Sequence, residues 1–236
     1  MIDNDTVQLK VTADLACFTR PEMKVERVTY PVMTPSAARG VLEAVLWKPE
    51  FVWHVRRITV LKPIRYVSIR RNEVQGRVST TDVQKWIGDP TTFEPYFADS
   101  AGREGAQGEN RTQRNTLALR DVAYVIEASV AQPRGFSSTD PPIKYREMFQ
   151  RRVEKGQCFQ QPYLGLREFA VSRFELPRGD EQPDPELLDA GEFDLGWMLF
   201  DLDYRAAPPQ PLFAPARLNR GVLDADAMRR VAEPQS

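Results

Sequence analysis

The residues able to do chemistry are few in kind and rich in arginine. Histidine occurs once, as His54, and cysteine twice, as Cys17 and Cys158. A lone imidazole excludes most His-based metal centres and Ser-His-Asp triads, and two distant cysteines outside any CxxC pairing build neither a disulfide scaffold nor a zinc site. No Gly-rich phosphate loop or paired-carboxylate motif is apparent, so the usual signatures of a small-molecule enzyme are missing. What remains is cationic. Arg20, Lys24, Arg27 and Arg39 gather around one loop and the start of a helix, Arg70 and Arg71 follow a strand end, and Arg111 and Arg114 flank a polar loop. Guanidinium forks grip phosphates, and a helix N-terminus adds donors for an anion, so these positions form a candidate nucleic-acid surface. The alternative is ordinary solvated charge. Phe18, Tyr30 and Trp47 are candidates for base stacking, each with core packing as its alternative. His54, set in a strand between Trp53 and Val55, reads as structural.

Net charge sharpens this reading. Residues 1–178 hold 27 Lys and Arg against 21 Asp and Glu, net +6, whereas residues 179–236 hold 5 against 12, net −7. A basic body followed by an acidic region is compatible with nucleic-acid binding, and the acidic region is suited to face a basic partner. With 42% hydrophobic and 28% charged residues in 236, the chain has enough apolar content for a sizeable core and lacks the signature of disorder. No apolar run approaches the roughly 18 residues of a membrane span, and the start, Met1-Ile2-Asp3-Asn4-Asp5, is acidic where a signal peptide is basic. The expectation is a soluble, cytoplasmic protein with no membrane contact.

Hydrophobic periodicity supplies the elements that must position these residues. Val7 to Cys17 alternates as a strand, and a short strand is expected within Val25 to Val32. Thr34-Pro35 opens a helix, with Thr as N-cap and Pro at the first helical position, and Ala38, Val41, Leu42 and Val45 form its buried stripe up to Trp47-Lys48-Pro49. Phe51 to Leu61 and Ile64 to Ile69 read as consecutive strands, Asp82 to Ile87 as a short helix, and Asp99 to Arg111 as a mobile loop. Leu117 to Val130 is a strand with Leu117, Leu119, Asp121, Ala123 and Val125 on one face. Pro142 to Lys155 is a helix stopped by Gly156, Phe159 to Leu176 one or two strands, 177–192 an acidic Pro-rich loop and Gly196 to Tyr204 a further strand. The order β, α, β, β, then β, α, β predicts an α+β fold: a ferredoxin-like (RRM-like) N-terminal domain over 1–176, with inserted loops, and a smaller acidic C-terminal β region over 177–236.

Several runs go beyond general patterning. They are Phe18-Thr19-Arg20-Pro21-Glu22-Met23-Lys24-Val25-Glu26-Arg27, Thr34 to Gly40, Trp47-Lys48-Pro49, Arg70-Arg71-Asn72-Glu73-Val74, Arg120-Asp121-Val122-Ala123-Tyr124 and Gln160 to Phe169. Together they resemble the CRISPR-associated Cascade protein of Cas family five in its subtype I-C (Dvulg) form, of the RAMP superfamily, over most of residues 7–175. The resemblance implies an endoribonuclease that cuts precursor CRISPR RNA at the base of the repeat hairpin without a metal ion or other cofactor. It also implies that the protein stays on the 5′ handle inside the interference complex, beside backbone and large subunits and in some settings duplex DNA.

The family pattern places a Tyr just before Trp-Lys-Pro and a Lys-His pair at the start of the second helix. Here Leu46 and Lys144-Tyr145 stand at those positions. Leucine moves no proton, so the resemblance leaves Lys144 to stabilise phosphate charge, Tyr145 to orient or deprotonate the 2′-hydroxyl, and Lys48 as a substitute cation. Two readings stay open. One is the nuclease that keeps its product, and the other is a non-catalytic handle-binding subunit of the same complex.

Overall fold

The computed structural model describes residues 5–74, 76, 78–93, 111–133, 140–204 and 206–233. The expected loop over 99–111 therefore lies outside the described residues, apart from Arg111. Among the described residues nine strands form one sheet, antiparallel along its central path β6-β1-β5-β3-β9-β8-β7. These strands are β1 (Thr6–Ala16), β3 (Val52–Val60), β5 (Arg111–Ala131), β6 (Arg173–Glu175), β7 (Glu192–Asp203), β8 (Gln210–Asn219) and β9 (Val222–Asp224), with β2 (Arg27–Val28) and β4 (Tyr66–Val74) pairing β5 off that path. Among the described residues no helix is long and apolar enough to cross a membrane.

The chain divides into two compact units, Met1–Val67 with Leu117–Ser236, and Ser68–Thr116. In the larger unit β1 lies along β5 from Thr6↔Ser129 to Ala16↔Leu119, and β3 flanks the other side of β5. The strands after residue 177 join this same sheet through β9, which pairs β3. The smaller unit holds most of β4 and the helix α2 (Thr80–Gly88), capped by Ser79.

Helix α1 (Pro35–Val45) forms where the sequence calls for it. The Thr34 hydroxyl accepts from the Ala37 amide at 3.2 Å, and Ala38, Val41, Leu42 and Val45 are buried. Helix α3 (Pro142–Glu154) buries Tyr145, Phe149 and Val153, spaced four apart on one face. Gly156, at φ +62°, turns the chain away from its end.

Two expectations need correction. The strand face of Leu117, Leu119, Asp121, Ala123 and Val125 does not persist, because Asp121 adopts φ +52° and the pairing with β1 passes from Leu15↔Arg120 directly to Ala13↔Val122. Beyond this irregularity Val122 to Ile126 are buried at every position, so both faces of the sheet are covered there. One to two strands over Phe159 to Leu176 shrink to β6, because Pro162 and Gly165 break the ladder and the backbone bonds elsewhere. The Leu164 carbonyl accepts from the Cys17 amide at 3.0 Å, the Val171 amide donates to Pro162, and the Ser172 amide donates to Thr12. Sequence periodicity also leaves α4 (Pro185–Asp189), both strands β8 and β9, and the last helix α5 (Ala225–Ala232) unplaced.

Gly165 is the tightest point of that loop. Its φ is +86°, and a Cβ there would stand 2.0 Å from the Cys17 carbonyl oxygen. We expect Gly165→Ala to lower stability by about 3 kcal/mol, read as a shift in the denaturant midpoint at constant slope. An unchanged midpoint would show that the loop yields freely.

Candidate active site

Two helix ends meet at the site. The last carbonyls of α1 point at a region where they need partners, and each finds one from another element. The Ala44 carbonyl accepts from the amides of Phe159 (2.7 Å) and Gln160 (3.2 Å), Val45 from the Arg152 guanidinium (2.8 Å), and Leu46 from the Trp53 indole (2.9 Å). Beneath this lies an aromatic stack. Phe51 contacts Trp53 edge-on at 4.9 Å and Tyr145 at 4.7 Å, and Trp53 meets Phe149 at 5.0 Å. The inward face of α3 is thereby fixed against the start of β3, and the loop carrying Lys48, Pro49 and Glu50 is held beside the first turn of α3.

There Lys144 and Tyr145 come together around a carboxylate that the sequence reading did not single out, and the charge of Lys48 acts on the same group. Lys144 Nζ donates to Asp140 Oδ2 at 2.7 Å, and the Tyr145 hydroxyl donates to the same oxygen at 3.3 Å. The Lys144 bond first, then the Tyr145 bond and the nearby charge of Lys48, hold the Asp140 carboxyl below the usual carboxylate range. In return the Asp140 bond raises Lys144, helped by the charge of Glu50. Lys144 is exposed, whereas Tyr145 is buried apart from its polar contact. Glu50 Oε2 is buried with no hydrogen-bond partner among the described residues. The signal that could have found Asp140 is its spacing: Asp140 and Lys144 are an i,i+4 pair at the start of a helix. Two donors converging on one anionic oxygen, with a further cation beside them, form a cradle for an oxyanion.

The expected binding cations are distributed rather than assembled. In the larger unit Arg20 lies over the buried Tyr30 ring at 4.6 Å, Lys24 is exposed, and Arg27 pairs with Glu168 at 2.9 Å. Arg39 is committed internally, with both forks on Asp201 (3.0 and 2.7 Å) and a third bond to Glu43 (2.7 Å). In the smaller unit the β4 alternation exposes Arg70 and turns Arg71 to the other face, where it bonds Glu73 and the Thr116 hydroxyl. Arg111 is exposed and Arg114 half-buried. Of the stacking candidates, Phe18 and Tyr30 belong to the core, while Trp47 is exposed. Among the described residues no group of three His, Cys, Asp or Glu is arranged to hold a metal ion.

His54 sits apart from this site, in a cavity of about 260 Å³ lined also by Arg39, Glu43, Asp201, Tyr204 and Arg229. Burial first, and the Arg229 charge second, push the imidazole down to about 4, partly opposed by Asp226.

Comparison with known proteins identifies the site's relatives. The family described as CRISPR-associated protein (Cas_Cas5) matches residues 6–226. A protein of Mannheimia succiniciproducens named CRISPR pre-crRNA endoribonuclease Cas5d is 43% identical over 220 residues, covering 92% of this chain and 93% of its own length. A Thermus thermophilus protein of the same name is 43% identical over 224 residues, covering 94% of this chain and 84% of its own. A crystal structure of a CRISPR-associated protein superposes with a TM-score of 0.62 at 19% identity, over 93% of this chain and 90% of that one, which is a likeness of fold.

The depressed imidazole makes stability depend on pH. Unfolded His54 takes a proton near 6.5 and folded His54 only near 4, so between these values the unfolded chain binds more protons and stability falls as pH falls. We expect roughly 1–2 kcal/mol of loss between pH 7 and 4, reduced from the full shift because the ring is half-solvated, and a flatter profile in His54→Gln, measured by denaturant titration at each pH. Identical profiles would remove His54 as the cause.

Proposed function

This chain belongs to the CRISPR-associated Cas5 family in its Cas5d form, and from that membership we propose that it cuts precursor CRISPR RNA at the repeat hairpin and keeps the 5′ handle. The observation that carries the reading is the cradle in which Lys144 and Tyr145 donate to one oxygen of Asp140 beside Lys48. A carboxylate oxygen there stands where a phosphate oxygen would be held. When RNA enters, the scissile phosphate takes over Lys144 and Lys48. Asp140, still bonded by Tyr145, is left as the carboxylate beside the adjacent 2′-hydroxyl.

Cleavage then needs no metal ion. Asp140 accepts the 2′-hydroxyl proton, the 2′-oxygen attacks phosphorus, and the bond to the 5′-oxygen of the next nucleotide breaks with its electron pair on that oxygen. Lys144 stabilises the charge on the phosphoryl oxygens and supplies the proton to the leaving oxygen, which yields a 2′,3′-cyclic phosphate. Tyr145 is the positioning residue for Asp140. Arg20, Lys24, Arg27, Arg70, Arg111 and Arg114 are the cations offered to the rest of the repeat, whereas Arg39 and Arg71 serve the fold.

Strand order β6-β1-β5-β3, with α1 following β1 and α3 following β5, supports reading the core as ferredoxin-like. In functional terms residues 1–176 carry the RNA chemistry and 177–236 form the acidic flank. Cascade backbone and large subunits, and duplex DNA, are the partners this reading implies in the cytoplasm. A second reading, a handle-binding subunit that does not cut, draws on Leu46, which is buried and closes the α1 side of the site to proton transfer.

The test is incubation with the cognate repeat RNA in EDTA, reading cleavage and retention together. We expect a single cut in the wild type, a loss of about 100-fold or more in single-turnover rate for Lys144→Ala and Asp140→Asn, and roughly tenfold for Tyr145→Phe. Asp140→Asn should bind RNA at least as tightly as the wild type, because a competing carboxylate is gone. Wild-type rates in Asp140→Asn would discard its role as base, and retention without cutting by the wild type would establish the second reading.

A further inference from the structure

Two large aromatic rings stand uncovered at the same end of α1. Trp47 is 57% exposed and Phe159 is 75% exposed, although their neighbours Leu46 and Trp53 are buried. Neither ring is on a loose segment. Trp47 directly follows the C-cap residue Leu46, and the Phe159 amide is bonded to the Ala44 carbonyl of the last turn of the same helix. The two side chains thus leave backbone positions tied to one helix end, with Trp53 and Arg152 locking the intervening carbonyls. Burying such rings is favourable by an amount proportional to their area, so two of them at one helix end on a rigid scaffold make a surface suited to an occupant.

The charge around them selects that occupant. Lys48 follows Trp47, and the ten residues ending at Gln160 contain Arg151, Arg152 and Lys155 against Glu154 alone. Arg151 and Lys155 are exposed on the last turn of α3, next to the chain segment that carries Phe159. Apolar rings edged by cations match a polyanion with flat apolar faces, which describes single-stranded RNA, whose unpaired bases stack on aromatic side chains while phosphates meet Lys and Arg. An acidic protein surface would also cover rings and cations, and what favours RNA is the continuity of this patch with Lys48 and the oxyanion cradle.

We propose that Trp47 and Phe159 form a stacking platform for unpaired bases flanking the scissile phosphate, delivering the backbone to Lys48 and Lys144. This rests on the endoribonuclease reading and extends it to the binding of substrate. Position supports the path. Lys48 adjoins Trp47 and also acts on Asp140, so one residue links the platform to the oxyanion cradle.

The experiment compares wild type, Trp47→Ala, Phe159→Ala and Trp47→Phe on the full chain, with the cognate repeat RNA and with the same RNA made abasic at each nucleotide flanking the cut. Each alanine variant should weaken binding about tenfold and raise KM with kcat little changed, while Trp47→Phe stays within about threefold of wild type. One abasic position should weaken wild-type binding and add no further loss to the alanine variants. RNA should quench tryptophan emission in the wild type and not in Trp47→Phe. Alanine variants that bind as tightly as a wild type which itself binds and cuts would overturn the platform and assign the rings to a protein neighbour. A wild type that neither binds nor cuts would fail earlier, at the endoribonuclease reading. Because both rings are exposed, unchanged thermal unfolding of the variants separates lost binding from lost fold.

Discussion

The C-terminal end of α1 is the joint on which the site depends. A helix end leaves carbonyls without partners, and burying them unpaired costs about 1–3 kcal/mol each. Here three successive carbonyls are satisfied by donors from three other places: the 159–160 backbone, the α3 side chain Arg152 and the β3 side chain Trp53. A local requirement of one helix thereby fastens together the segments that carry every group in the candidate active site. Trp53 does this twice over, since its ring also meets Phe149 in an edge-type contact while its N–H caps α1. Loss of that indole would free a carbonyl and unseat α3 in one step.

What could be read from the sequence follows from the range of the forces involved. Helix α1 was legible because its cap, its proline and its apolar stripe all lie within twelve residues and agree with one another. Strands β1 and β3 were legible by alternation. The segment after Gly156 was not, because its apolar residues answer to distant backbone atoms: Leu164 to Cys17, Phe159 to Ala44, Val171 to Pro162. Nor does alternation foresee Asp121, whose left-handed backbone interrupts the pairing with β1, or the burial of every residue from Val122 to Ile126 beyond it. For the site, the cations Lys48 and Lys144 were reached through the family resemblance, not through their residue type. The carboxylate between them was not, since an Asp before a helix reads as a cap until the structure shows what bonds to it.

The split of charge along the chain finds a partly internal explanation. Glu181 pairs with Lys10, Glu186 with Arg65, Asp201 with Arg39 and Asp226 with Arg56, each joining the acidic region to the basic body. The basic partner expected for residues 179–236 is therefore in good part the first 178 residues of the same chain. Of the four, the Arg39–Asp201 bond contributes most, because it is bidentate, short and partly covered, whereas Arg65–Glu186 is solvated and contributes little. The pairing also sorts the cations. Lys10 and Arg39 are partly covered by the carboxylates they hold, whereas Lys24 and Arg70 are exposed and are among the cations we propose for a polyanion.

Leu46 changes where the chemistry can reside. The family resemblance expects a phenol at that position, on the α1 side, and a lysine-histidine pair on the α3 side. Here leucine is buried and its carbonyl accepts from Trp53, so no titratable side chain stands at that position, and Lys48 lies beyond the helix end. The groups able to accept or give a proton, Asp140, Lys144 and Tyr145, fall within six residues at the start of α3. A site drawn from one short segment needs less precision between helices than one shared across two. It needs instead that the segment itself be held firmly, and the ring of Tyr145 against Phe51, continued by Trp53 and Phe149, does that. The aromatic stack thus takes over, as packing, the role that a catalytic residue on α1 would have required of the interhelical geometry.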